Sequence, residues 1–150
     1  MYEDDHVVAL QQLSVFVENE PGRLEEVAQV LADAGVNLRA LAIAETAHFG
    51  ILRVIVDDTE TAAEVLQAAG IVAKVTDVVG VEVPDRPGGL AELLGVFTGT
   101  GVSIEYMYAE LSGGGDRALL IMKLEPVEDA LRLLTDAGLD WGDLAEASLS

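Results

Sequence analysis

Val17-Glu18-Asn19-Glu20-Pro21-Gly22-Arg23-Leu24 joins two different apolar periods. Before it, Leu13, Val15 and Val17 alternate as in a half-buried strand. After it, Leu24, Val27, Ala28 and Leu31 recur at helical spacing. Pro21 and Gly22 lie between them, so the chain turns sharply from strand into helix. The first N–H groups of such a helix have no acceptor inside it. They make a small anion site of backbone, and Asn19 is placed to add a side-chain amide to it. The same device returns as Val83-Pro84-Asp85-Arg86-Pro87-Gly88-Gly89-Leu90.

The return is part of an internal repeat. Pro21 aligns with Pro87, a shift of 66 positions, and Gly35-Val36 aligns with Gly101-Val102 at the same shift. Val15 and Val81, Leu24 and Leu90, Glu26 and Glu92, and Val30 and Val96 follow the same register. A repeat this long is a small domain used twice. In the first copy, strand Gln12–Glu18 leads to helix Arg23–Ala34, which Gly35 ends. Strands Asn37–Glu45 and Ile51–Val56 flank a turn at Thr46–Gly50. Asp58 or Thr59 caps a second helix, and Ile71–Val79 is a fourth strand. The second copy gives strand Gly80–Val83, helix Ala91–Thr100, hairpin Val102–Leu111 and Ala118–Leu124, and a helix beginning at Pro126. A weakly marked strand near Asp140–Ala147 ends it.

The order β-α-β-β-α-β, with one apolar stripe per helix, predicts an α+β fold. Two ferredoxin-like units are expected side by side, residues 10–79 and 80–148. Their sheets are antiparallel, with the helices on one face. Between the copies, one strand either runs on or bends at Gly80.

Composition narrows the function. The 150 residues are 51% apolar, enough for a buried core, and contain no cysteine. Disulfides, zinc ribbons and thiol nucleophiles are thereby excluded. Asp and Glu number 27 against 8 Lys and Arg, a net charge of -19. Such a chain repels nucleic acid and anionic membranes, so neither is an expected partner. The acidity fits a very soluble surface, or one suited to a salty cytoplasm. With an acidic N-terminus and no long apolar run, the expected location is the cytoplasm. The field also disfavours a multiply charged anion, whereas a zwitterion has no net charge to oppose.

No catalytic set stands out, and the chain is read as a non-enzyme without metal or cofactor. His6 and His48 have no metal-like spacing, and Asp57-Asp58 reads as a helix cap. Gly113-Gly114-Gly115 lacks the Lys and the following helix of a phosphate loop. An acylphosphatase-like use of Arg23 and Asn37 fails because Gly89 and Ser103 stand at the matching positions of the second copy. Pro-Gly alone is also an ordinary connector. Its repetition is what argues for more. A polar residue stands two positions before each Pro, Asn19 and then Asp85. Another opens each following strand, Asn37 and then Ser103. Asn19 and Asn37 are expected near a common pocket.

Glu18-Asn19-Glu20-Pro21-Gly22-Arg23-Leu24, followed by Gly35-Val36-Asn37-Leu38, resembles the amino-acid-binding ACT domain. Asp85-Arg86-Pro87-Gly88-Gly89-Leu90 with Gly101-Val102-Ser103-Ile104 resembles it again, and the likeness spans about Leu10 to Ala147. The stand-alone tandem ACT proteins are similar also at Phe49–Val56 and Ile104–Tyr108. The resemblance implies a sensory or allosteric module that binds a free amino acid. It places the ligand at Asn19, Glu20, Pro21, Gly22, Arg23, Leu24, Asn37 and Leu38. The weaker second set is Asp85, Arg86, Pro87, Gly88, Gly89, Leu90, Ser103 and Ile104. Asp85 is no amide donor and would repel the ligand's carboxylate. Tyr106, Met107 and Tyr108 would alternate in direction on their strand, leaving one tyrosine face for a pocket or for packing. A homodimer is expected from the open edges. The alternative is an interaction subunit of a biosynthetic enzyme, such as the small subunit of acetolactate synthase. Its second half, by resemblance, is not a repeat of the first.

Overall fold

The computed structural model describes residues 7–18, 20–45, 49–110 and 117–137. In chain order the elements are β1 (Val7–Glu18), α1 (Arg23–Asp33), β2 (Leu38–Glu45), β3 (Phe49–Val56) and α2 (Thr59–Ala68). Then come β4 (Ala73–Pro84), α3 (Gly89–Gly95), β5 (Ser103–Ala109), β6 (Arg117–Glu125) and α4 (Val127–Asp136). The fold is α+β and separates into two compact units. The first unit is Gln11–Thr76. The second takes residues 77–137 together with residues 7–10.

In the first unit the strands are ordered β2-β3-β1-β4. β3 pairs antiparallel with both β1 and β2. Leu13 lies opposite Val54 and Val15 opposite Leu52. With period 2, those four side chains share one face. Val27 and Leu31 of α1 and Ala62 and Leu66 of α2 close the core over that face. Of the helical stripes read from the sequence, Val27, Leu31, Ala62 and Leu66 are buried, whereas Leu24, Ala28 and Ala69 are exposed. The left-handed Gly35 ends α1, and Gly70 follows α2 in the same conformation.

The second unit repeats the plan, with β4, β6 and β5 as successive neighbours in its sheet. Val79, Val81 and Val83 pack with Leu93, Phe97, Met122, Leu124, Ala130 and Leu134. Val7 belongs to this core as well. β1 therefore begins five residues before the expected Gln12 start. Its first residues, 7–10, lie beside β4 and belong to the second unit. The expected strand Asp140–Ala147 lies outside the described residues, as do Gly138, His6, His48 and the Ser112–Asp116 stretch.

β4 runs unbroken through Gly80. A Cβ there would meet Leu10 Cδ1 at 2.8 Å and Val8 Cγ1 at 3.1 Å, so the glycine marks close packing of side chains and not a bend. Two expected boundaries are corrected. The helix expected over Ala91–Thr100 starts at Gly89 and ends at Gly95, after which Val96, Phe97 and Thr98 donate to carbonyls three residues back. Gly95 and Gly99 lower helix propensity there, and the tighter turns replace the helix. The turn expected at Thr46–Gly50 is shorter, because Phe49 and Gly50 already belong to β3.

Asp58 caps α2: its carboxylate accepts from the Thr61 N–H at 3.1 Å and from the Thr61 hydroxyl at 2.7 Å. These bonds, side-chain first, hold its pKa below the ordinary 3.8. A lowered carboxylate contributes stability that is complete above the unfolded value and lost as pH falls through the folded one. Asp58→Ala is therefore expected to lower the melting temperature at pH 7, with the difference from wild type shrinking below about pH 4. Thermal melts across pH 2–7, on the order of one per unit, check this; a pH-independent difference contradicts it.

Candidate functional site

Both Pro-Gly turns adopt one conformation. Gly22 precedes α1 with φ 86° and ψ −10°, and Gly88 precedes α3 with φ 88° and ψ −14°. A left-handed residue at this point is what glycine supplies at low cost. Neither helix start has a side-chain cap. At the first, the Arg23 N–H donates to the Glu20 carbonyl at 3.3 Å, and the Glu26 N–H closes the first helical bond to Gly22 at 3.0 Å. Among the described residues, no acceptor faces the Leu24 and Glu25 amides.

Two clefts open against this first turn. One, of about 190 Å³, lies between the start of α1, the end of α2 and the chain leading into β4. Glu18, Arg23, Glu26, Gly70 and Val72 are in its wall. The other, of about 140 Å³, is bounded by Val17, Glu18, Glu20, Leu24, Ile43, Gly50 and Leu52. Val17 and Glu18 belong to both walls, so the clefts adjoin. Glu18, Glu26, Ile43, Gly50, Leu52 and Val72 were not among the residues the sequence offered. The one signal for them was Gly50 in the largely apolar run Phe49–Val56, which reads just as well as a turn end.

Charge at the turn centres on Arg23. Its guanidinium bonds Glu26 at 3.1 Å and stands 3.6 Å from both Glu18 and Glu20. The Glu26 hydrogen bond, then the charges of Glu18, Glu26 and Glu20, raise its already high pKa. One cation thus faces three carboxylates, and the turn is net acidic. These groups are exposed, so each pair contributes little to stability. They set the local potential instead.

The expected meeting of the turn with Asn37 does not occur within a unit. Glu18 lies opposite Phe49 at one end of the first sheet, whereas Leu38 lies opposite Val56 at the other. The 11 residues of α1 span roughly 16 Å between these ends. Asn37 is exposed there; its N–H donates to the Asp57 carboxylate at 3.0 Å and its carbonyl accepts the Asp57 N–H at 3.2 Å. Ser103 stands likewise opposite Glu125, while Pro84, just before the second turn, stands opposite Arg117. A helix returning antiparallel to its strand separates these positions by construction. Asn19 lies outside the described residues.

The second turn is built differently. Asp85, Arg86, Pro87 and Gly88 are exposed, but Gly89 is buried. A Cβ on Gly89 would fall 2.3 Å from the Pro84 carbonyl oxygen. Helix α3 has only seven residues, against 11 in α1. Leu90 and Ile104 are exposed apolar residues on separate elements. Tyr106 and Tyr108 lie opposite Lys123 and Ile121, and Met107 packs on the core. The tyrosines therefore share the sheet face turned away from the helices.

Among the described residues, no group of three or more His, Asp or Glu could hold a metal ion. No described helix is long and apolar enough to cross a membrane. No curated protein sequence matches the chain. Among solved structures, protein BT0572 from Bacteroides thetaiotaomicron is 40% identical with a TM-score of 0.82, over 89% of this chain and 92% of that one. The regulatory subunit of aspartate kinase from Thermus thermophilus, in ligand-free form, is 20% identical with a TM-score of 0.58, over 90% and 97%. E. coli aspartokinase III in complex with lysine and aspartate is 19% identical with a TM-score of 0.51, over 92% of this chain and 32% of that one. The family model described as an ACT domain pair matches residues 8–149, and with the repeat, the βαββα order that recurs in both copies and the paired glycine turns, the chain belongs to that family.

Proposed function

We propose that the protein is a regulatory module that binds a free amino acid and performs no chemistry itself. The observation that carries this reading is the pair of clefts at the start of α1, beside amides with no acceptor among the described residues. The ligand's carboxylate meets the Leu24 and Glu25 amides, where the helix dipole is positive. Its ammonium meets Glu18, Glu20 or Glu26. A zwitterion satisfies both, and it escapes the repulsion that a net charge of -19 imposes on anions. A regulatory subunit and a lysine- and aspartate-bound enzyme among the structures of this fold support the same class of ligand and role.

On this reading Glu20, Pro21, Gly22, Arg23 and Leu24 form the site with Asn19, and the second turn contributes less. Asn37 and Ser103 take part only if a second copy of the chain brings them to a turn. A homodimer is proposed, with β2 as the edge that offers exposed Leu41 and Ile43. Occupancy then favours one packing over another, and a partner enzyme in the cytoplasm reads the difference.

Leu24→Asp separates this from a purely structural turn. Leu24 is 43% exposed in the first helical turn, so a carboxylate there suits the helix dipole and leaves the fold intact. It also places a rival anion on the proposed ligand amides. Calorimetry with a panel of free amino acids should show binding by wild type, weakened about tenfold or more in Leu24→Asp and in Asn19→Ala, at unchanged melting temperature. Equal binding by all three proteins counts against the site.

A further inference from the structure

Resting on that reading, we infer that the ligand is a neutral amino acid with an aliphatic side chain, which sits over Gly50 with its ammonium against Glu18 and Glu20. Gly50 is the second residue of β3, paired with Val17 on one side and, as the last pair of that ladder, with Glu45 on the other. Nothing in its backbone demands glycine, since it is absent from the positive-φ positions. Nor does packing, since a Cβ there would meet only the Ala44 carbonyl at 3.6 Å, Ile43 Cγ2 at 3.8 Å and the Val17 carbonyl at 3.9 Å. Those are ordinary contacts. A glycine inside a strand weakens it and marks a place that another group approaches. Here the glycine lines the smaller cleft, and a side chain would take up part of it.

The size and lining of that cleft choose the guest. At about 140 Å³ it matches the roughly 150 Å³ apolar cavity that accepts benzene. A branched four-carbon side chain is of the size this cleft holds. Val17, Leu24, Ile43 and Leu52 offer it apolar surface. Glu18 and Glu20 are the charged groups in the wall, and the nearby Arg23 is already engaged by three carboxylates. A second carboxylate on the ligand would meet like charge. A side-chain ammonium would lose its water among apolar groups. Both acidic and basic amino acids are thereby disfavoured.

The test uses the full chain, with valine, leucine, isoleucine, aspartate and lysine titrated by calorimetry and thermal shift. At least one aliphatic amino acid should bind roughly tenfold or more tightly than aspartate and lysine. Gly50→Val should weaken that binding by about tenfold while the melting temperature holds or rises, because valine suits a strand and fills the cleft. Glu20→Gln should weaken it several-fold without moving the melting temperature. Tighter binding of aspartate or lysine overturns the inference and leaves amino-acid binding standing. Aliphatic binding untouched by Gly50→Val overturns the location. If none of the five binds while another amino acid does, this inference alone fails; if no amino acid binds, both readings fail.

Discussion

Gly89→Ala should lower the melting temperature of the second unit by roughly 10–20 °C, whereas Gly22→Ala should lower that of the first by only a few degrees. The two glycines sit one residue apart in the aligned turns, and they are glycine for different reasons. Gly22 has φ 86° and nothing within 4 Å of where a Cβ would stand, so alanine there meets the left-handed strain alone, about 1 kcal/mol. Gly89 has no such strain, but its Cβ would fall 2.3 Å from the Pro84 carbonyl oxygen. That oxygen belongs to a buried residue at the end of β4, paired with Arg117. It cannot yield without opening the strand end or displacing α3. A cost of about 3 kcal/mol or more follows, at the top of the overpacking range. Arg23, the first-copy counterpart of Gly89, carries a full side chain, and there the Glu18 carbonyl accepts the Glu20 N–H at 2.8 Å. Differential scanning calorimetry of the two variants checks the contrast, and equal shifts would contradict it.

Leu66→Ala should destabilise the first unit by about 3 kcal/mol. Leu66 is fully buried on α2 and shares a core with Leu13, Val15, Leu31 and Val54. Its carbonyl also accepts the Ile71 N–H at 2.9 Å, which fixes the chain beyond the helix. Truncation removes the transfer energy of the lost carbons and leaves a cavity that a sheet and two helices cannot close. Val72, 65% exposed, is the control, and its alanine variant should fall within about 0.5 kcal/mol of wild type. Urea melts should show a lower midpoint for Leu66→Ala at unchanged slope. A change below about 1 kcal/mol would mean that the core is not packed as described.

The fold was legible because it rests on periodicity and punctuation. Leu13, Val15 and Val17 alternate, Leu24, Val27 and Leu31 step by helical turns, and a left-handed glycine stands at both ends of α1, after α2 and before α3. The repeat then doubled the evidence for every element it covered. What was not legible depends on three-dimensional placement. Asn37 was expected near the first turn because those segments of a split βαβ can approach at one end of the sheet, yet α1 carries the chain from Glu18 to the far end before Asn37. Val7 joins the second unit's core although it precedes the first unit in sequence, and no local pattern carries that pairing. The cleft walls share this property. Glu18, Ile43, Gly50 and Leu52 come from three strands, and only the antiparallel register of β1, β2 and β3 assembles them.

The most direct measurement is an amide NMR titration of the full chain with a free aliphatic amino acid, up to about 10 mM. Saturable shifts concentrated at Leu24, Glu25 and Gly50, with the second turn at Gly88 and Gly89 little changed, are the predicted result. Saturable binding that leaves the start of α1 and Gly50 unmoved would contradict the site, and no saturable shift with any amino acid would contradict the sensor role altogether.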